Sequence, residues 1–316
     1  MENTLTTRSD THAITNNPAI TWELYTRFVS FIDALPRTVE SYTKTLRYFF
    51  AYLAERGITH PTRVDVIAYR DALKETHKAT TVQAYMVPVR LFFRWAEQER
   101  IYPDVADRVK GAKVGRRTHR KQALTSNQAR TILDVVPHDT ERGLRDYAII
   151  ALMLTGGLRT IEVSRATVGD IGINGDDAVL YVKGKGDDDV NAYVKLPAPV
   201  EKAIRAYLVT RGKVADTAPL FASTSNNNAG QSMTTRSISG LVKDYMRTAG
   251  YDSDRLTAHS LRHTAATLNL LNGGTLEETQ ELLRHSNPAT TMIYTHTTNR
   301  TSNNSEARIA NILFKE

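Results

Sequence analysis

The chain has 316 residues, 41% of them hydrophobic, a formal net charge of +7 and no cysteine. This length suits two domains better than one, and the lack of cysteine excludes disulfides and thiolate metal sites. No apolar run reaches the length of a membrane span, and the polar amino terminus lacks the pattern of a signal peptide. We therefore expect a cytoplasmic protein that has no membrane partner.

The positive charge is concentrated in the first half of the chain. Residues 21–122 contain 19 Lys and Arg and 11 Asp and Glu, whereas residues 123–316 contain 21 of each kind. An excess confined to one half favours contact with a polyanion such as nucleic acid. A merely soluble basic domain would show the same excess, so charge alone does not separate the two interpretations.

Four amphipathic helices are predicted in residues 21–108, after a flexible amino terminus of residues 1–20. Apolar residues repeat at three- and four-residue spacing in WELYTRFVSFID, TVESYTKTLRYFFAYLAERG, RVDVIAYRDALKE and TVQAYMVPVRLFFRWAEQER. Helices of this size form a small bundle that can stand alone. Most surface Lys and Arg are only solvated, but some are candidate phosphate contacts. These candidates are Lys44, Arg47, Lys78, Arg90 and Arg94.

A basic segment without apolar periodicity, RVKGAKVGRRTHRK, follows at residues 108–121. We predict that residues 109–122 form an interdomain linker that crosses a negatively charged surface. Its candidate DNA contacts are Arg116, Arg117, Arg120 and Lys121.

Residues 123–298 are predicted to form a second domain of helices with a small β-hairpin. TSNQARTILDVV has a Thr start and a helical stripe, and LRDYAIIALMLTGG is apolar enough for a buried core helix. LRTIEVSRATVGDI is predicted to continue as a helix and to end in a turn. The hairpin strands are predicted at Ala178–Lys183 and Val190–Leu196, with a polar, Gly-rich tip between them.

The rest of the chain is predicted to be helical. The segments are APVEKAIRAYLVTRG, RSISGLVKDYMRTAG, AHSLRHTAATLNLLNGG and LEETQELLRHSNPATTMIYTH. In the last of these, Asn287 is a candidate cap and Pro288 suits the first helical position. A short amphipathic helix, SEARIANILFKE, is predicted in a tail of residues 299–316. The predicted fold class is therefore mainly α with a small β-sheet or hairpin.

Three groups of side chains in the second domain are candidates for chemistry. They are Arg159 with Glu162, three residues apart and so predicted on one helix face; His259, Arg262 and His263 at i, i+3 and i+4; and His285 followed by Tyr294. Each group alone has a plain alternative, namely a surface ion pair, packing histidines and a packing tyrosine.

The spacing of the histidines also fits a zinc site. His259 and His263 are four residues apart, and His285 and His296 follow. However, no glutamate lies between the paired histidines, and Arg262 on their shared face would repel a dication. We therefore predict neither a metal nor another cofactor.

The three groups taken together fit a phosphodiester substrate. Two guanidinium groups and imidazoles would neutralise the charge that gathers on the non-bridging oxygens in the transition state. Without a metal, phosphoryl transfer needs these cations, a nucleophile and an acid for the leaving oxygen. Tyr294 can be the nucleophile, and a lysine at the hairpin tip can be the acid.

The segments TGGLRTIEV, VKGKGD, AHSLRHTAAT and LLRHSNPATTMIYTH resemble, in order, the four signature regions of the tyrosine recombinase family of phage-integrase and Xer-type enzymes. The resemblance covers roughly residues 120–297, and residues 21–108 resemble the family's SAM-like core-binding domain more loosely. It implies a two-domain architecture, a helical core-binding bundle plus an α+β catalytic domain. It also implies DNA cleavage and rejoining through a 3′-phosphotyrosyl link and a Holliday junction, without ATP or metal.

The resemblance implies a role for each candidate that would touch the phosphate. Arg159 and Arg262 would grip the scissile phosphate, with Glu162 as structural support. His259 would assist proton transfer at the nucleophile, and His285 would hydrogen-bond the phosphate.

The nucleophile and the general acid follow from the same resemblance. Tyr294 would attack the phosphate, and Lys185 at the hairpin tip matches the acid that protonates the leaving 5′ oxygen. Lys183 is a rival for this role only if the strand continues that far. His263 and His296 are interpreted as structural.

The family's assembly is four protomers on two double-stranded DNA sites, and the tail helix of residues 299–316 would dock on a neighbouring protomer. The predicted function is that of an integrase or transposase of a mobile genetic element. A Xer-like resolvase of chromosome or plasmid dimers is the alternative, and a non-catalytic DNA-binding relative and a metal-dependent nuclease are less favoured. About twenty residues precede the first predicted helix, which favours recombination at simple sites.

One departure from the family pattern is the acidic run Asp187, Asp188 and Asp189 after Lys185. Relatives often have basic or neutral residues there. Carboxylates raise the pKa of a neighbouring lysine and are repelled by DNA. We therefore expect replacement of all three by Asn to change cleavage or DNA binding in gel assays. Unchanged cleavage and binding would make the run a solvated turn.

Overall fold

The computed structural model describes residues 18–113, 122–183, 192–285, 287–292, 294 and 312. The chain divides into two compact units, residues 1–117 and 118–316. Within the described ranges, no helix combines the length and the apolar character that a membrane crossing needs.

The first unit is helical over most of its described length. Its helices are α1 (Trp22–Phe31), α2 (Pro36–Glu55), α3 (Arg63–Thr76) and α4 (Ala79–Gln98). The hydroxyl of Thr21 caps α1 by accepting from the Leu24 amide, and Thr62 forms a capping box with Asp65 at the start of α3. Gly57 follows α2 with φ +64°, a left-handed conformation that glycine adopts without strain.

Aromatic side chains fill the core of the first unit. The ring of Phe92 on α4 lies 5.5 Å from that of Phe28 on α1 and 5.2 Å from that of Phe50 on α2, both edge-to-face. Phe92 is fully buried. Such pairs contribute about 0.5–1.5 kcal/mol each beyond the burial of their surface. The Phe92 ring on α4 therefore packs against both α1 and α2.

The chain that leaves this bundle is held against it. Val109 and Ala112 are buried in the core of the first unit. The guanidinium of Arg90 donates to the Val109 carbonyl at 3.1 Å, and Gln83 Nε2 donates to the Ala112 carbonyl at 2.8 Å. Arg90, a predicted phosphate contact, therefore uses part of its guanidinium for a hydrogen bond within the unit. The other predicted contacts of this bundle are exposed: Lys44, Arg47, Lys78 and Arg94.

The second unit is mainly helical, with one small sheet. Its described elements are α5 (Ser126–Asp134), α6 (Glu141–Gly156), α7 (Thr160–Arg165), a 3-10 turn (Val168–Asp170), β1 (Ile171–Asn174), β2 (Asp177–Val182), β3 (Ala192–Lys195), α8 (Ala198–Arg211), α9 (Thr235–Thr248), α10 (Ala258–Leu271) and α11 (Leu276–Leu283). Residues 288–292 and 294 are also helical. The predicted mainly α fold with a small sheet is confirmed.

The most buried helix of this unit is α6, as its apolar sequence predicts. Ala148, Ile149 and Ile150 on three successive faces are fully buried. The helix packs against α8 and α10, and it ends at Gly157, whose φ of +58° gives a left-handed cap. The buried helix thus delivers its carboxyl end to the region where the candidate side chains meet.

The sheet is antiparallel in the order β1-β2-β3, with Leu180 on β2 paired to Ile171 and Val194. The predicted hairpin is therefore incomplete, because β1 is a third strand that begins at the end of the segment that we predicted as a helix ending in a turn. The amide of Thr167 donates to Asp170 Oδ2 at 2.7 Å and starts the short 3-10 turn that leads into β1. Four residues with two exposed positions carry too little alternation to predict a strand.

Several predicted features lie outside the described residues. They are Arg116, Arg117, Arg120, Lys121, Lys185, the acidic run of residues 187–189, His296 and, apart from Ile312, the tail helix.

A buried ion pair ties α6 to the rest of the second unit. Arg145 Nη2 donates to Asp146 Oδ1 at 2.7 Å, and Arg145 Nη1 donates to the Ala222 carbonyl at 2.8 Å. The hydroxyl of Tyr245 on α9 donates to Asp146 Oδ2 at 3.2 Å. Burial, with the Asp146 charge second, raises the pKa of Tyr245 to about 12. These contacts leave few polar atoms of the pair without a partner.

We expect Asp146→Ala to destabilise the chain strongly, because it leaves the Arg145 charge buried without its partner. The expected loss in the free energy of unfolding is about 3–5 kcal/mol, measured by urea denaturation. Asp244→Ala is the matched control, since its ion pair with Arg247 is exposed and should be worth no more than about 1 kcal/mol. Equal losses for the two variants would contradict the role of the buried pair.

Candidate active site

Arg159 and Glu162 meet at the start of α7. Arg159 is the N-cap residue of this helix, and its amide donates to Glu162 Oε2 at 2.7 Å while its Nη1 donates to Oε1 at 2.8 Å. Their spacing predicted a shared helix face, but the two residues instead form the cap at the start of α7. The Glu162 side chain is fully buried, whereas 29% of the Arg159 side chain is exposed. The carboxylate thus fixes both the backbone and the guanidinium of Arg159.

Glu162 is ionised although it is buried. Burial would raise its pKa, but the charge and hydrogen bond of Arg284, followed by those of Arg159, lower the pKa below its ordinary value. The Arg284 Nη2 atom lies 2.8 Å from Glu162 Oε2. Each oxygen of this carboxylate therefore faces one arginine.

Arg262 lies on α10 and is almost completely buried. Its Nη1 donates to the Gly157 carbonyl, and its Nη2 donates to the Leu283 carbonyl. Burial, with the neighbouring Arg159 charge second, lowers its pKa to about 9, so the group stays charged at neutral pH. The side chain joins the carboxyl ends of α6 and α11 and lines the cleft described below.

His259 and His263 lie one turn apart on α10. The two rings are 4.5 Å apart, and the ring of His263 lies 5.2 Å from that of Tyr294. His259 is exposed and His263 is buried. The ring of His263 thus contacts both the exposed imidazole of His259 and the ring of Tyr294.

His285 follows α11 and is held by the next helical segment. Its Nδ1 lies 2.8 Å from Thr291 Oγ1. Burial, and then the charges of Arg262 and Arg159, lower its pKa to about 4, so the imidazole is neutral at neutral pH. The amide of Ala289 donates to Asn287 Oδ1 at 2.9 Å, which is the cap that the sequence indicates.

Tyr294 is buried, with 4% of its surface exposed. Its ring packs with Ala266 and Leu283. Burial raises the pKa of its phenol to about 12, although Arg262 and Arg159 act in the opposite direction. The hydroxyl is therefore protonated at neutral pH and must lose its proton when it reacts.

These side chains line one open cleft of about 280 Å³. Its lining residues are Arg159, His259, Arg262, His263, His285, Asn287, Thr290 and Tyr294. The structure thus brings together five of the six residues that we predicted as catalytic, the sixth being Lys185. Strand β2 ends at Val182, so the continuation on which the rival Lys183 depends is not seen in the described part. Within the same part, His, Asp and Glu side chains form no group suited to hold a metal ion.

Sequence reasoning missed Thr290, which lines the cleft, and two residues that support the site from behind it. Arg284 contacts Glu162, and Thr291 contacts His285. Thr291 precedes Tyr294 by three residues, a helical spacing that places both on one face. Arg284 gives no such periodic signal, because its side chain reaches residues far away in sequence.

Comparison with known proteins gives the chain a family. Residues 122–300 match the phage integrase family, and residues 32–100 match the phage integrase N-terminal SAM-like domain. The tyrosine recombinase XerD of Ralstonia nicotianae is 30% identical over 272 residues, which cover 84% of this chain and 85% of XerD.

Two solved structures share the fold. The XerH site-specific recombinase bound to its palindromic difH substrate superposes with a TM-score of 0.71 at 20% identity, over 88% of this chain and 80% of XerH. A lambda integrase tetramer bound to a Holliday junction superposes with a TM-score of 0.65 at 17% identity, over 88% of this chain and 81% of that protein. The chain therefore belongs to the phage integrase family of tyrosine recombinases and is a site-specific DNA recombinase.

Proposed function

We propose that Tyr294 attacks a DNA phosphodiester and becomes linked to the 3′ end of the cut strand. The observation that carries this proposal is the convergence of two arginines, two candidate histidines and one tyrosine on a single cleft. Arg159 and Arg262 supply the positive charge that a crowded phosphorane-like transition state requires. Lys185 remains our proposed acid for the leaving 5′ oxygen.

Proton movements follow from the states of these groups. As the Tyr294 oxygen forms its bond to phosphorus, its proton passes to the imidazole of His259, which lines the same cleft. The bond to the 5′ oxygen breaks, and this oxygen takes a proton from Lys185. Rejoining runs the same steps backwards with a 5′ hydroxyl as the nucleophile. The energy of the broken bond is kept in the phosphotyrosine.

The neutral imidazole of His285 serves as a hydrogen-bond donor to the phosphate. Thr291 Oγ1 lies at hydrogen-bond distance from Nδ1, so donation by the hydroxyl leaves the proton of the ring on Nε2. A neutral donor adds no charge to the cleft and fits beside two arginines more easily than a cation would.

The proposed substrate is double-stranded DNA bound by both units. The first unit would be the core-binding domain, with the exposed cations of its helices on the phosphates, and the second unit the catalytic domain. The assembly would be a homo-tetramer on two duplexes, with the tail of residues 299–316 docked on a neighbouring protomer. The lambda integrase tetramer on a Holliday junction supports this assembly by its similar fold.

The biological role that we propose is integration of a mobile genetic element. The second candidate is Xer-like resolution of dimers, which the similarity to XerD over most of both chains favours. Sequencing the DNA beside the coding region tests the two. Repeats that flank a mobile cassette would support integration, and an isolated gene in a constant chromosomal setting would support resolution.

We expect Tyr294→Phe to abolish the covalent protein–DNA adduct, because among the described residues that line the cleft Tyr294 alone carries a phenol. A substrate with a nick near the cleavage site traps the adduct, which a denaturing gel separates from free DNA. Tyr193→Phe, at an exposed tyrosine on β3, is the matched control and should form the adduct normally. Persistence of the adduct in Tyr294→Phe, with DNA binding retained, would refute the assignment.

We expect His285 to make stability depend on pH in acid. Its folded pKa of about 4 lies below the ordinary value of 6.5, so the unfolded chain binds the proton more readily. The stability that this histidine contributes is fully present above pH 6.5 and is lost as the pH falls towards 4. Urea denaturation should therefore show a smaller loss for His285→Asn than for the wild type across this range, and parallel curves above it. Identical acid slopes would exclude a depressed pKa.

A further inference from the structure

Arg284 occupies a backbone conformation that is uncommon for a side-chain-bearing residue. It ends α11 with φ 52° and ψ 51°, in the left-handed region, where glycine or asparagine is the usual residue. This conformation costs energy unless the surrounding contacts offset it. Contacts of the Arg284 side chain are therefore expected to offset the cost of this backbone conformation.

The guanidinium of Arg284 is used almost entirely inside the protein. Its Nη1 donates to the Leu282 carbonyl at 2.7 Å and the Gly156 carbonyl at 3.2 Å, and its Nη2 donates to Glu162 Oε2 at 2.8 Å. Only 11% of the side chain is exposed, and it does not line the cleft. Arg284 cannot act by touching the phosphate in this arrangement.

The charge balance behind the cleft depends on this residue. Glu162 carries one negative charge and contacts Arg159 with one oxygen and Arg284 with the other. With Arg284, these three groups carry a net charge of +1, and Arg262 raises the total to +2. Without Arg284, Glu162 would offset the charge of Arg159, and the total would fall to +1.

The carboxyl end of α6 also increases the need for positive charge behind the cleft. The carbonyls of Gly156 and Gly157 lie at the negative end of the helix dipole, which disfavours a phosphate nearby. Arg284 donates to the Gly156 carbonyl, and Arg262 donates to that of Gly157. In addition, the charge of Arg284 lowers the pKa of Glu162 more than the charge of Arg159 does.

We propose that Arg284 is a positioning residue of the recombination reaction, which takes up the charge of Glu162 and leaves the Arg159 guanidinium to neutralise the scissile phosphate. This inference rests on the proposed function, since it requires the phosphate to bind beside Arg159. Because Arg284 would act through its charge, its removal should slow the reaction of a charged substrate more than that of a neutral one. Removal of a purely structural residue should slow both alike.

The test compares Arg284→Gln with wild type on two nicked substrates that differ at the scissile position. One has the normal phosphate, and the other has a methylphosphonate, which lacks one negative charge. The single-turnover rate of adduct formation on the phosphate should fall at least about tenfold, though less than the roughly 10²–10³-fold loss of a direct oxyanion donor. On the methylphosphonate the fall should be much smaller. Arg247→Gln, at an exposed arginine of the same unit, should match wild type on both.

Charge compensation provides a second measurement. Arg284→Gln combined with Glu162→Gln removes one positive and one negative group and restores the net charge of +2. We expect this double variant to cleave the phosphate substrate faster than Arg284→Gln alone. Arg284→Gly removes the side chain and relieves the left-handed strain, so it takes the place of Arg284→Gln if thermal unfolding shows that the latter does not fold.

The outcomes separate this inference from the proposed function. Equal losses on both substrates, or a normal phosphate rate in a folded variant, would overturn the role of Arg284 while the adduct in wild type stands. An unrescued double variant would also count against it. Absence of an adduct in the wild type, or its persistence in Tyr294→Phe, would instead overturn the proposed function.

Discussion

The buried carboxylate of Glu162 is the interaction on which the arrangement of the cleft depends. It sits between Arg159 and Arg284, and it also accepts the amide that starts α7. A buried carboxylate is costly unless it is paired and fully hydrogen-bonded, and here both conditions hold. The contacts with both arginines therefore offset the cost of burying the carboxylate, and they fix the position of Arg159 at the edge of the cleft.

The same logic explains how three arginines lie near one another. Arg262 and Arg284 both donate to carbonyls at the carboxyl end of α6, and Glu162 supplies the formal counter-charge. The donors are thereby oriented before any substrate arrives. Orientation in advance is what makes electrostatic stabilisation of a transition state effective, because little reorganisation is needed during the reaction.

The sequence predicted the longer helices well, because their apolar residues repeat over ten or more positions. The buried character of α6 and the cap at Asn287 were also readable, since each depends on neighbours in the chain. Strand β1 was missed because it is short and half exposed. Arg159 was placed on a helix face, although its contact with Glu162 arises from an N-cap at which the chain bends.

Arg284 could not be predicted from the sequence at all. Its contacts depend on a left-handed backbone at the end of α11 and on carbonyls more than a hundred residues away. The residues of the cleft itself were more accessible to prediction, since their chemical types and their order carry the family resemblance. Lys185 stays a prediction, as do the basic contacts of residues 109–122 that lie outside the described ranges.

The pKa values of His285 and Arg262 lie on opposite sides of neutrality, at about 4 and about 9. Neither group changes its protonation between these limits, so ordinary variation in cellular acidity leaves their contribution to the cleft constant. A DNA recombinase gains from this constancy, because a transient acid or alkaline shift does not change the charge of these two groups. Control over when strands are broken must then come from features other than the protonation of these two groups.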